Sequence, residues 1–294
     1  MTNILCIAGP TASGKSSRAV EEALARSGEV ISVDSRQVYR GLDIGTEKIT
    51  REEMRGVPHH LIDIRDASDP YSAADFVADA STLIEAITAR GHLPILAGGT
   101  HFYFDVLLHG LPEGADPDPS LRAELETLST EDLFARIRAA DPHRATKLDP
   151  QNRRRLVRAL EIITTRGSVP PRTPRNDAHY DAEWIIIDPP REALRERIDA
   201  RLTQAFERGL VEEVRRVREQ VGDARQDELG LEYRIVGEYL SRSAKATQDA
   251  AQLKVELMPI LSAKLWQYAR RQKAWLRKLE NETIAAAPSH PDRS

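Results

Sequence analysis

The chain has 294 residues, a formal net charge of −4 and a single cysteine, Cys6, with 40% hydrophobic and 30% charged residues. These values are ordinary for a globular protein, and the length suits one large domain or a core with an inserted second one. One cysteine excludes disulfide bonds and a cysteine-based zinc site. No apolar run approaches the length of a membrane span and we expect no signal peptide, so we predict a cytoplasmic protein without a membrane partner.

The first motif lies near the start of the chain, after an apolar run at 4–8 and before a helical pattern at 17–26. Its residues are Gly9, Pro10, Thr11, Ala12, Ser13, Gly14, Lys15 and Ser16. They fit the pattern G-x-x-x-x-G-K-[ST], in which backbone N–H groups and the lysine bind phosphates while the last hydroxyl holds Mg²⁺. The following helix adds its positive N-terminal end. The motif predicts a loop that binds a di- or triphosphate.

Short apolar runs recur along the chain and alternate with helical patterns, of which 71–90 is the longest early one. The runs lie at 30–33, 61–64, 93–97 and 184–187. This alternation predicts an α/β fold, a P-loop NTPase-like core with a parallel sheet buried on both faces. Asp34 follows the second run and Thr100 follows the fourth. Because parallel strands end at one edge of a sheet, we expect Asp34, Thr100 and the phosphate loop to converge.

The interval before the last apolar run has a different character. Proline-rich loops at 112–119 and 167–174 enclose it. Helical patterns within it lie at 120–128, 131–140 and 152–165. We therefore predict an inserted helical subdomain at 113–180, with 1–112 and 181–294 forming the catalytic core. After the last strand the chain has helical patterns throughout.

The charge is unevenly distributed. Residues 150–175 contain seven arginines and one acid, Glu161, and residues 264–278 contain six lysines and arginines and no acid. Two concentrated basic segments in a mildly acidic chain favour a localised surface for a polyanion over two merely solvated helix faces.

Together these segments resemble the tRNA dimethylallyltransferase (tRNA isopentenyltransferase) family over nearly the whole chain. The matching motifs are the phosphate loop, 34–46, 58–64, 71–76, 98–100, 155–161, 209–215 and 270–277. Two segments depart from the usual family pattern. Leu229-Gly-Leu-Glu-Tyr-Arg234 stands where Gly-Tyr followed by a basic residue is usual, and His101-Phe102 where small or aliphatic residues are commoner.

The resemblance implies transfer of a dimethylallyl group from dimethylallyl diphosphate to N6 of the adenosine 3′ of the anticodon, in tRNAs that read codons beginning with U. It implies Asp34 as the base, Thr100 near the reacting atoms, Mg²⁺ at Ser16, and Lys15 and Arg201 with the loop as diphosphate ligands. It also implies binding of the anticodon stem-loop, and we expect a monomer. The tRNA contacts expected are Asp34, Ser35, Arg36, Gln37, Thr100, Arg122, Arg154, Arg155, Arg158, Tyr233, Arg234, Arg270, Arg271, Gln272, Trp275 and Arg277.

Alternatives remain at this point. Asp34 also fits a Mg²⁺-directing aspartate after an apolar strand, and aromatic residues at helical spacing, such as Trp275, are more often core than base-stacking. The whole chain also fits a P-loop kinase of a small molecule, which would consume ATP. It fits less well a non-catalytic RNA-binding module that uses nucleotide as a switch. A related enzyme that modifies free AMP would not need an arginine-rich insert of this size.

Overall fold

The computed structural model describes residues 1–110, 118–170, 180–241 and 250–286. Its strands are β1 (Thr2–Ala8), β2 (Gly28–Val33), β3 (His59–His60), β4 (Leu93–Gly98) and β5 (Tyr180–Ile186). Its helices are α1 (Lys15–Arg26), α2 (Arg51–Met54), α3 (Ala73–Ala89), α4 (His101–His109), α5 (Pro119–Glu126), α6 (Thr130–Ala140), α7 (Pro142–Ala145), α8 (Arg153–Arg166), α9 (Arg191–Glu207), α10 (Leu210–Glu228), α11 (Leu231–Leu240) and α12 (Ala250–Ala286). The predicted linker loops at 112–119 and 167–174 lie partly outside these residues.

The five strands form one parallel sheet in the order β3-β2-β4-β1-β5. Side chains alternate between its two faces because successive strand residues point to opposite sides. Leu5 and Ile7 pack in the cluster that includes the buried residues of α1. Ile4 and Cys6 pack on the other face, in the cluster that includes α3 and α4. The predicted α/β class with a parallel sheet is confirmed.

The third strand differs from the prediction. The sequence suggested a strand at 61–64, but β3 is only His59–His60, paired with Val30 and Ile31 of β2. Leu61 and Asp63 have φ angles of 60° and 56°, in the left-handed region that no strand can use. The side chain of Leu61 is nevertheless buried in the core. Its burial explains why an apolar pattern continues after the strand has ended.

The helices α9, α10, α11 and α12 contribute most of the residues of a second hydrophobic cluster. Leu194, Ile198 and Leu202, four residues apart, are buried along α9. In α12, leucines four residues apart from Leu253 to Leu265 pack in the same cluster. This spacing aligns one face of each helix, which buries it against its neighbours. No helix within the described ranges has the length and apolarity needed to cross a membrane.

Two compact units divide the chain. One consists of Met1–Leu108 with Ala178–Ser294, and the other of His109–Asp177. The second unit has its own buried cluster, in which Leu133 and Ile137 of α6 meet Leu156 and Leu160 of α8. The predicted insert at 113–180 overlaps this unit, and its assignment to tRNA binding stays a prediction.

Candidate active site

The phosphate loop connects β1 to α1. Gly14 has φ of 91°, a left-handed conformation that glycine adopts without steric cost, and α1 begins at the next residue. Lys15 Nζ donates a hydrogen bond to the carbonyl oxygen of Pro10 at 3.2 Å. The N-terminal end of α1 and this lysine together favour an anion in the loop.

Burial and, next, the positive charge of Arg201 lower the pKa of Lys15 to about 8, while the negative charge of Asp34 opposes the shift. The lysine is therefore still mainly protonated at neutral pH, but the cost of keeping it charged is substantial. A bound anion would remove that cost.

Asp34 directly follows β2. Its Oδ1 accepts hydrogen bonds from the backbone N–H groups of Arg36 at 2.8 Å and Gln37 at 3.3 Å. Among the described residues, no hydrogen bond to Oδ2 is found. The carboxylate is thus fixed through one oxygen, and the other can accept a proton.

Thr100 directly precedes α4 and lies beside the Asp34 segment. Its Oγ1 accepts a hydrogen bond from Ser35 N at 3.1 Å, and its own N–H donates to the carbonyl oxygen of Val33, also at 3.1 Å. These bonds join the ends of β2 and β4. Because the Thr100 oxygen is already an acceptor, its hydroxyl hydrogen can be donated to a ligand.

A cavity of about 780 Å³ lies at this edge of the sheet. Its lining includes Thr11 to Ser17, Asp34 to Gln37, Gly45 to Ile49, Gly98 to Thr100, Arg197, Arg201, Leu229 to Arg234, Tyr268, Arg271 and Gln272. The phosphate loop, Asp34 and Thr100 therefore line one cavity, as the strand order predicts. Arg201, expected only from the family resemblance, lines it as well.

Arg197, Glu47 and Glu232 are three of the cavity residues that did not figure in the predicted site. Arg197 donates to the carbonyl oxygen of Ser13 at 3.2 Å. It lies one helical turn before Arg201, a spacing that could have revealed it. Glu47 pairs with Arg201 at 3.0 Å. Burial, and next the charge of Glu47, raise the pKa of Glu232 to about 7.

Glu213 of α10 anchors the turn that forms one cavity wall. Its carboxylate accepts the backbone N–H groups of Asp43, Ile44 and Gly45 at 2.9–3.0 Å. It also accepts the hydroxyl of Tyr233 at 2.6 Å. A Cβ on Gly45 would lie 2.8 Å from the Tyr233 ring, so the turn fits against the ring only with glycine.

Tyr233 was expected among the tRNA contacts, and this role stays a prediction. The residue is 1% exposed and its hydroxyl is bonded to Glu213, so it supports the cavity wall from inside. The neighbouring Arg234 is exposed.

Gln272, also expected among the tRNA contacts, is held inside the protein. Its side chain is 6% exposed, and both ends of its amide are bonded inside the protein. Its Oε1 accepts from Thr11 N at 2.9 Å, and its Nε2 donates to the Gly99 carbonyl oxygen at 3.0 Å. It therefore ties α12 to the phosphate loop at the cavity lining, and its role as a tRNA contact stays a prediction.

The other expected contacts on α12 are arranged differently. Arg270, Arg271 and Arg277 are exposed, and Arg271 also lines the cavity. Trp275 is half-buried and stacks on His101, with ring centroids 5.6 Å apart. The ring contact favours a packing role for Trp275 over stacking on a base.

The arginines of the second unit fall into two groups. Arg154 and Arg155 are exposed on α8. Arg122 and Arg158 instead form ion pairs with the buried carboxylate of Glu161, at 2.8 and 3.0 Å. Their guanidinium groups stay partly accessible, but part of their charge is balanced within the unit.

A phosphate loop at the carboxyl edge of a parallel sheet, facing a carboxylate and an arginine, defines an α/β protein of the P-loop class with a cavity whose chemistry suits an anion. Such a site can stabilise a phosphate leaving group and accept a proton beside it. The chain belongs to the IPP transferase family, whose model matches residues 37–279.

Similar proteins agree with this assignment. The chain is 42% identical to the tRNA dimethylallyltransferase of Thermomicrobium roseum, over 94% of this chain and 84% of that protein. It is 40% identical to that of Anaeromyxobacter sp. (strain Fw109-5), over 99% of this chain and 97% of that protein.

Solved structures are similar over the same extent. A tRNA isopentenylpyrophosphate transferase from Bacillus halodurans is 37% identical with a TM-score of 0.66, covering 94% of this chain and 87% of that one. A eukaryotic dimethylallyltransferase acting on tRNA is 29% identical with a TM-score of 0.78, covering 94% and 70% of the two chains.

Proposed function

We propose that this protein is a cytoplasmic, monomeric enzyme that transfers the dimethylallyl group of dimethylallyl diphosphate to N6 of the adenosine 3′ of the anticodon, in tRNAs reading codons that begin with U. Diphosphate is the second product. The observation that carries the proposal is the shared cavity, in which a phosphate loop, Asp34 and Thr100 lie together. A kinase cavity would need the phosphate loop but not this exposed basic surface on α12.

Asp34 accepts the proton in this proposal. The N6 amine of adenine is conjugated with its ring and is a poor nucleophile, so attack on the allylic carbon requires loss of the N6 proton. Fixing of Oδ1 by the Arg36 and Gln37 amides orients the carboxylate, and Oδ2 takes the proton as the new C–N bond forms. A positioned carboxylate is also able to hold the adenine amine before reaction.

The leaving diphosphate is stabilised by fixed positive groups. Lys15, the loop amides and Arg201 face the charge that develops as the allylic C–O bond breaks. Arg197 supports the loop through the Ser13 carbonyl. The Thr100 hydroxyl donates a hydrogen bond close to the reacting atoms.

Mg²⁺ fits the residues present. No group of three or more His, Cys, Asp or Glu side chains able to hold a metal exists in the described part of the chain. Mg²⁺ is commonly held by one or two side chains with substrate phosphate oxygens and water, so the exposed Ser16 hydroxyl and the donor diphosphate would suffice. Its role would be to offset charge on the diphosphate.

Binding of tRNA for this reaction requires a basic protein surface and an adenine that is no longer stacked on its neighbours. The adenine must leave its stack to enter the cavity, where Asp34 to Gln37 and Thr100 would surround it. Arg154, Arg155, Arg234, Arg270, Arg271 and Arg277 would contact the anticodon stem-loop. All six are exposed, as contacts to a nucleic-acid backbone must be.

The test is mass analysis of nucleosides from tRNA incubated with enzyme, Mg²⁺ and dimethylallyl diphosphate, without ATP. We expect an adenosine carrying one dimethylallyl group in tRNAs that read codons beginning with U. Parallel reactions with AMP as acceptor should give no product. Consumption of ATP without any modified adenosine would overturn the proposal in favour of a kinase.

A further inference from the structure

We propose that Glu47 is a positioning residue for Arg201 in the transfer reaction, a role that rests on the proposed function of Arg201 as a diphosphate ligand. Glu47 Oε2 lies 3.0 Å from Nη2 of Arg201, and both side chains line the cavity. A guanidinium has five N–H donors in a rigid plane, so one ion pair fixes its orientation and leaves other donors for the diphosphate.

The backbone around Glu47 is held in a defined shape. Glu47 has φ of 53°, and its N–H donates to the carbonyl oxygen of Ile44 at 3.2 Å. Nε2 of Gln37 donates to the carbonyl oxygens of Thr46 and Glu47 at 3.2 and 3.3 Å. These bonds fix the point from which the Glu47 carboxylate reaches Arg201.

Buried charged groups hold the rest of this turn. The Glu213 carboxylate accepts hydrogen bonds from the backbone N–H groups of Asp43, Ile44 and Gly45. The buried Lys48 donates to the Asp43 carboxylate at 2.6 Å and to the Tyr39 carbonyl oxygen at 2.8 Å. A carboxylate on so firmly held a turn can orient its partner without moving itself, which is what positioning requires.

The same turn is connected to the base. Gln37, whose side chain holds the Glu47 carbonyl, donates its own backbone N–H to Asp34 Oδ1. Gln37 is therefore bonded both to the proton acceptor and to the backbone of the residue that orients Arg201. This arrangement holds the two ends of the reaction, N6 and the diphosphate, in a constant relation.

Glu47, not Glu232, is the residue that orients Arg201. Within the described residues the ion pair of Arg201 is with Glu47. Glu232 lies near Arg201, Glu47 and Asp34, but burial and the charge of Glu47 raise its pKa to about 7, so much of it is uncharged at neutral pH. An uncharged acid orients a guanidinium weakly.

The experiment compares steady-state prenyl transfer by the wild type, Glu47→Ala, Glu47→Gln, Arg201→Ala and the Glu47→Ala/Arg201→Ala double variant. Loss of one charge-assisted bond should raise the donor KM by about tenfold in Glu47→Ala. Gln can still accept a hydrogen bond from Arg201, so Glu47→Gln should restore most of the affinity. The KM for tRNA should stay unchanged, and the double variant should be no worse than Arg201→Ala.

Glu53→Gln is the matched control, because Glu53 lines the same cavity but bonds to Thr50 N and not to Arg201. It removes one negative charge from the cavity and should leave the kinetics unchanged. The proposal is overturned by additive effects in the double variant, by a donor KM that rises as much in Glu47→Gln or Glu53→Gln as in Glu47→Ala, or by a lower donor KM in Glu47→Ala. If the wild type transfers no dimethylallyl group, the proposed function fails instead.

Discussion

Gln272 of α12 accepts a hydrogen bond from the backbone N–H of Thr11, in the phosphate loop, at 2.9 Å. The same side chain donates to the carbonyl oxygen of Gly99 at the end of β4. One glutamine thus fastens the basic helix to two loops of the donor cavity. Gln272 therefore connects the part of α12 that carries exposed arginines directly to the phosphate loop.

Replacing Gln272 by Ala should therefore harm the donor site and the fold. The change leaves two backbone groups without their partners, at a cost of about 1–3 kcal/mol in the free energy of unfolding. The donor KM should rise more than the tRNA KM. Chemical denaturation and kinetics would check both, with Gln267→Ala on the exposed face of α12 as control. Equal effects of the two variants would contradict the prediction.

Asp34→Asn distinguishes the two roles considered for this residue. If Asp34 is the base, the amide keeps the size of the side chain but cannot accept the N6 proton, and the transfer rate should fall by about 10² to 10⁴. Affinity for donor and tRNA should change little. Single-turnover transfer, titrated with Mg²⁺ and donor, provides the measurement. A rate restored by excess Mg²⁺ would identify Asp34 as a metal ligand.

Donor affinity should depend on pH through Lys15. Its pKa of about 8 in the free protein means that the cation is complete below this value and lost above it. The diphosphate prefers the protonated lysine, so the donor dissociation constant should increase as pH rises through about 8. Calorimetry at several pH values would measure the donor dissociation constant. In Lys15→Ala its increase through about pH 8 should be absent.

The effect of Glu232 on the pH dependence must be separated from that of Lys15. Glu232 gains a negative charge near pH 7, which would also weaken diphosphate binding. Glu232→Gln should remove the contribution near pH 7 and keep the one near pH 8. A Lys15→Ala profile identical to that of the wild type would contradict the assignment.

The basic residues should divide into two groups when replaced by alanine. Arg155→Ala and Arg277→Ala remove exposed charges, so each should weaken tRNA binding and lower the salt dependence by about one per phosphate contact. Arg122→Ala and Arg158→Ala should instead lower the melting temperature, because each leaves the buried Glu161 short of a partner. Filter binding at several salt concentrations and thermal denaturation test the division.

Much of this fold could be predicted because its signals are local. The runs that became β1, β2 and β4 are nearly continuous and apolar, as strands buried on two faces must be. The third strand could not be placed, since the left-handed residues Leu61 and Asp63 have no signature in the sequence. Leu61 is simply apolar, and the chain buries it outside the strand.

The convergence of Asp34 and Thr100 on the phosphate loop followed from strand order alone. The places of Tyr233 and Gln272 did not, because their partners Glu213 and Thr11 lie 20 and 261 residues away along the chain. Glu47 was missed although it directly follows a recognised motif. A carboxylate beside a proposed diphosphate site runs against simple charge complementarity, and the ion pair with Arg201 accounts for it.

The attachment of Asp43 to Glu213 spans 170 residues of sequence. During synthesis the amides of Asp43, Ile44 and Gly45 therefore cannot bond to Glu213 until α10 has emerged. The phosphate loop and Asp34 are made first but acquire a complete cavity late. A nascent chain that has not reached Tyr233 therefore has the phosphate loop but lacks this wall of the cavity.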